Sequence, residues 1–72
     1  GQMARPRREL AARRKAAGFS QESLAHAIGV DRSTVARWES GGTAPQPELR
    51  AKLARRLGLD LAGLRELLDD DR

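Results

Sequence analysis

The segment from Gln21 to Ser40, QESLAHAIGVDRSTVARWES, constrains the fold more than any other part of the chain. It reads as two short amphipathic helices joined at Gly29-Val30-Asp31. Leu24, Ile28, Val30, Val35 and Trp38 are its apolar positions, Ala25 is the small residue where the helices cross, and Gly29 supplies the turn. Helices this short are marginal alone and must bury their apolar stripes against neighbours. The residue sizes allow the close crossing that this requires.

The chain has 72 residues and no cysteine, so it is one domain near the lower limit for a core without covalent help. No disulfide or thiolate metal site is available, and the core must come from packing. Its leucines, together with Ile28, Val30, Val35, Phe19 and Trp38, supply the apolar volume, while tyrosine is absent and β-branched apolar residues are few. This favours an all-α fold. No apolar run approaches the length of a membrane span, and no secretory leader pattern precedes the domain. Cytoplasmic placement is therefore expected, with no membrane partner. Gly1-Gln2 ahead of Met3 reads as a cloning scar.

Helix boundaries are marked at both ends. Gly18, Gly29, Gly41-Gly42 and Gly58 each follow a helical stretch. Phe19-Ser20, Val30-Asp31 and Leu59-Asp60 each pair an apolar N′ residue with a Ser or Asp N-cap, and Leu24, Val35 and Leu64 are the matching N4 residues. Pro6 and Pro47 suit first helical turns. Five helices are predicted: Pro6 to Ala17, Gln21 to Ile28, Arg32 to Ser40, Pro47 to Leu57 and Leu61 to Leu68. Residues 1–5 are expected to be disordered, 6–68 to form the domain, and 69–72 to be an acidic, frayed tail.

The net charge is +4, and its distribution is uneven. Residues 1–40 hold eight basic and four acidic groups, whereas residues 41–72 hold six of each, so the excess lies on the half containing the paired helices. That pairing has the spacing of a helix-turn-helix, whose second helix enters the DNA major groove. With Val35 taken as inward, a helical advance of about 100° per residue puts Trp38 and Glu39 within about 60° of it and Ser33 and Arg37 about 160° away. Ala36 and Thr34 flank the outward pair. Arg can pair bidentately with guanine, Ser can bond either base type and an Ala methyl can meet a thymine methyl. Arg32, in the first turn, points sideways towards a base or a phosphate.

Glu39 on the inward face requires a partner. On the first helix Arg14 lies about 40° from the apolar Leu10. Arg14 and Glu39 are therefore expected to form a partly buried ion pair, because either alone is costly to desolvate. The N-terminus of the second helix, with Gln21 in its first turn, suits a phosphate. Arg7, Arg8 and Arg13 are further basic groups on the first helix. Thr34, Ser40, Thr43 and Arg13 join Gln21 as the candidate phosphate contacts, and Arg32, Ser33, Ala36 and Arg37 are the candidate base contacts. His26 lacks partners at metal spacing and reads as a surface residue.

From Phe19 to Gly41 the residues FSQESLAHAIGVDRSTVARWESG resemble the signature of the Cro/CI, or Xre-type, helix-turn-helix family, and the resemblance extends over residues 8–68. It implies a compact five-helix lambda-repressor-like bundle whose second and third helices form the helix-turn-helix. It implies a phosphate contact for Gln21, base contacts for Arg32, Ser33 and Arg37, and an interhelical ion pair for Arg14 and Glu39. Two departures stand out. The loop after the third helix, Gly41-Gly42-Thr43-Ala44-Pro45-Gln46, carries no charge where several phage repressors have Lys or Arg, leaving Thr43 and the backbone to donate and Arg50 to compensate. Gly63 weakens the last helix, which often helps such proteins dimerise.

The leading expectation is sequence-specific binding of double-stranded DNA by a transcriptional regulator or its N-terminal domain. A weak homodimer, a missing C-terminal domain or a partner protein are the other partners considered. The alternative is an antitoxin-like interaction module that presents Leu57, Leu59, Leu61, Leu64 and Leu68. No cofactor, metal or catalytic residue is expected, because there is no Gly-rich phosphate loop and no Ser/His/Asp set on one face.

Overall fold

The computed structural model describes residues 6–69, and among them are five α-helices and no strand. They are α1 (Arg8–Ala16), α2 (Gln21–Ile28), α3 (Arg32–Ser40), α4 (Pro47–Leu57) and α5 (Leu61–Leu68). The last four match the predicted ranges. The first begins two residues later than expected, because Arg7 occupies the N-cap with φ −91° and ψ 80°. The expectations for residues 1–5 and 70–72 lie outside the described residues. Asp69, at the C-cap of α5, donates its backbone N–H to the Arg65 carbonyl at 3.0 Å.

The turns follow from residue chemistry. Gly29 and Gly41 adopt φ +85° and +86°, a region costly for any residue with a Cβ. After Gly41 the chain closes a Schellman motif: Gly42 N–H donates to the Arg37 carbonyl at 3.0 Å and Gly41 N–H to that of Trp38 at 3.3 Å. At the start of α2, Ser20 Oγ accepts from Ser23 N–H at 3.0 Å while Ser23 Oγ accepts from Ser20 N–H at 2.9 Å. This reciprocal capping box satisfies two N–H groups that the helix leaves unpaired. Asp60 Oδ1 caps α5 through Gly63 N–H at 2.7 Å. Asp31 holds the N-cap position of α3, but its side chain makes no capping bond.

The core comprises Leu10, Leu24, Ala25, Ile28, Val35, Trp38, Leu53, Ala54, Leu57, Leu64 and Leu68, with Phe19, Val30, Leu49, Leu59 and Leu67 packed against it. All five helices contribute. The tightest pairing is α2 with α3, α4 packs on α2 and α5, and α1 touches α3 and α5. Of the five leucines considered for a docking patch, Leu57, Leu64 and Leu68 are buried, Leu59 is half-buried and Leu61 is 57% exposed. The patch is thus largely spent on the protein's own core. Among the described residues, no helix is long and apolar enough to cross a membrane.

Candidate nucleic-acid interface

Helix α3 is divided sharply by exposure. Val35, Trp38 and Glu39 are buried, Thr34 and Ala36 are half-buried, and Arg32, Ser33 and Arg37 are exposed. Val35 and Trp38 anchor the inward stripe in the core, so the outward side chains cannot rotate inward without emptying it. Arg37 and Ser33 therefore share one solvent-facing side of a rigid element, with Arg32 at its first residue.

Glu39 fixes the helix from beneath. Its Oε2 accepts from Arg14 Nε at 2.5 Å, and its Oε1 accepts from Arg14 Nη2 at 3.3 Å and from Gln21 Nε2 at 3.0 Å. Arg14 Nη1 also donates to the Phe19 carbonyl at 2.8 Å. The ion pair is under 10% exposed on both sides, and no buried side-chain N or O among the described residues lacks a partner. A bidentate, fully satisfied pair is the form in which buried charge is tolerated. It ties α1, the start of α2 and the end of α3 into one unit.

The candidate phosphate contacts divide into several groups. Gln21 spends one amide hydrogen on Glu39, which leaves the other hydrogen and its backbone N–H at the α2 N-terminus. Ser40 donates its hydroxyl to the Arg37 carbonyl at 3.0 Å, so a phosphate must compete for that hydrogen. Thr34 and Thr43 line one surface depression with Val30, Trp38 and Gln46. Arg13 is different. Its Nε donates to the Leu57 carbonyl at 2.8 Å and its Nη2 to that of Gly58 at 3.2 Å, closing the C-terminus of α4. These bonds engage Nε and Nη2 of an otherwise exposed side chain, so a phosphate at Arg13 must share the guanidinium with the end of α4.

Arg7 escaped the sequence reading as a structural residue. It is 9% exposed and donates to three carbonyls drawn from α3, α5 and the loop after α3. Nothing in its local sequence distinguishes it from the exposed Arg8. Arg7, Arg13 and Arg14 thus each direct part of the guanidinium onto the protein's own acceptors. The basic groups of the first forty residues that remain exposed and outside these bonds are Arg8, Lys15, Arg32 and Arg37 among the described residues.

A helix-turn-helix family model matches residues 10–64, well over half of the chain, and spans α2, the turn and α3. The chain belongs to the Cro/CI-type helix-turn-helix family. Members of this family are DNA-binding domains, and the division of α3 into a buried and a presented side is the arrangement such a domain requires. No curated protein and no solved structure gives a significant match to the chain.

Proposed function

We propose that this helix-turn-helix domain binds double-stranded DNA with sequence specificity and serves a transcriptional regulator. In this reading α3 lies in the major groove. Arg37 pairs with guanine O6 and N7, Ser33 reaches an adjacent base edge and Ala36 permits close approach to a thymine methyl. Arg32 extends to a base or a phosphate. The N-terminus of α2 receives a phosphate through its free N–H groups and the remaining Gln21 hydrogen. Thr34, Ser40 and Thr43 border the groove and hold further phosphates. The observation that carries the proposal is the exposure of Arg32, Ser33 and Arg37 on a helix whose opposite side is locked by Val35, Trp38 and Glu39.

A domain of this size makes few contacts, so two copies bind related half-sites, with recognition helices about 34–36 Å apart along the duplex. Monomer binding is correspondingly weak, and it falls steeply with salt. We read the compartment as the cytoplasm, where such a regulator meets its operator.

Selection of bound duplexes from a random pool, repeated with Arg37→Ala, tests the proposal. The expected outcome is an enriched sequence for the native protein. For the variant, preference should relax at one position with a loss of roughly 1–3 kcal/mol. Failure of the native protein to enrich any sequence overturns it.

A further inference from the structure

Arg7 has an arrangement that the proposed reading does not use. Among the described residues its hydrogen-bond partners are carbonyl oxygens, whereas the ion pair joins Arg14 to Glu39. Its Nε donates to the Leu68 carbonyl at 3.0 Å, and its Nη1 to the carbonyls of Trp38 at 2.6 Å and Thr43 at 2.7 Å. Its backbone N–H donates to the Glu39 carbonyl at 2.6 Å. Trp38, Glu39 and Leu68 lie in the last turns of α3 and α5, where carbonyls lack intrahelical partners and the helix dipole favours a cation. Thr43 belongs to the uncharged loop that follows α3.

We infer that Arg7 is a positioning residue for DNA reading: it sets the C-terminal end of α3 and the adjoining loop in the geometry that presents Arg37. The inference rests on the DNA-binding reading above. Arg7 is 9% exposed, with Nε and Nη1 turned onto these carbonyls, so its part in DNA reading is indirect. Its planar fork spans three separated carbonyls in a fixed pattern, which a lysine ammonium on a flexible stem cannot reproduce. Arg37 sits one residue before Trp38, and its own carbonyl anchors Gly42 and Ser40, so the contacts made by Arg7 hold the stretch of chain that directly follows the outward side chain. Without Arg7, the Trp38 and Leu68 carbonyls lose a charged donor in the protein interior, and the end of α3 loses its tie to α5 and to the loop at Thr43.

The test compares the native protein with Arg7→Ala and Arg7→Lys at a temperature where circular dichroism and Trp38 fluorescence show each to be folded. Two probes are used: a duplex selected by the native protein from a random pool, and an unrelated duplex of equal length. Arg7→Ala should lose about ten-fold in affinity for the selected duplex, comparable to loosening one bidentate base contact. It should change by less than about two-fold on the unrelated duplex, and the slope of log K against log salt should stay at the native value. Arg7→Lys should recover little of the loss, and amide exchange at Gly42 and Thr43 should accelerate in both variants. Full recovery by lysine, equal losses on both duplexes, or a salt slope reduced by about one would overturn the inference, the last by marking Arg7 as a phosphate ligand. If Arg7→Ala does not fold, Arg7→Lys and its exchange pattern decide alone. Variants indistinguishable from a native protein that does discriminate sequences sink only the role of Arg7. A native protein that selects no duplex sinks the DNA-binding reading, and this inference with it.

Discussion

Glu39 is the residue on which most of the interface geometry converges. Its carboxylate takes three hydrogen bonds from Arg14 and Gln21, and its carbonyl takes a fourth from the Arg7 backbone. Removing either charge of a buried pair leaves the other uncompensated, at a cost of about 3–5 kcal/mol. A chain of this size has a total stability of only several kcal/mol. Glu39→Ala and Arg14→Ala should therefore each lower the urea midpoint severely, to the point of partial unfolding in buffer; a midpoint shift worth well under 1 kcal/mol would contradict this. The double variant with paired apolar residues of similar volume should recover much of the loss. It should also bind DNA more weakly than its stability suggests, since Gln21 loses its anchor as well.

The helices differ in how their starts are secured, and this ranks their sensitivity. Ser20 and Asp60 accept capping bonds, whereas Asp31 occupies an N-cap without using its side chain. Ser20→Ala and Asp60→Ala should each cost about 1 kcal/mol in thermal or urea unfolding, and Asp31→Ala distinctly less. Gly29→Ala meets no atom within 4 Å, so its penalty comes from the positive φ alone, about 1 kcal/mol. The sequence made these boundaries legible because glycine ends and apolar-plus-cap starts are local signals, and the Arg14–Glu39 pair followed from helical angles on two adjacent helices. The roles of Arg7 and Arg13 were not legible in the same way. Each depends on carbonyls more than thirty residues distant, and no periodicity encodes which surface arginine folds back onto a helix end. The start of α1 was misplaced for the same reason: the Arg7 bonds hold its backbone outside the helix. Asp31 shows the converse limit, where composition named the cap position but could not tell whether the oxygen would turn towards it.

In the molecule as a whole, one core receives side chains from every helix, and the single tryptophan lies inside it at 2% exposure. Unfolding should be two-state, with Trp38 fluorescence and far-ultraviolet circular dichroism giving coincident urea transitions; separated midpoints would show that α5 or α1 detaches independently. Charge is deployed unevenly at this level too. Three arginines of the basic half are bonded into the scaffold, and Arg32 and Arg37 are left exposed on the helix that faces outward. The most direct measurement is amide and side-chain shift mapping by nuclear magnetic resonance during titration with a selected duplex. The largest changes should fall at Arg32, Ser33, Ala36 and Arg37, with a second group at the Gln21 end of α2 and at Thr43. Shifts concentrated on α4 and α5, with the outward side of α3 unmoved, would contradict the assignment of α3 as the element that reads DNA.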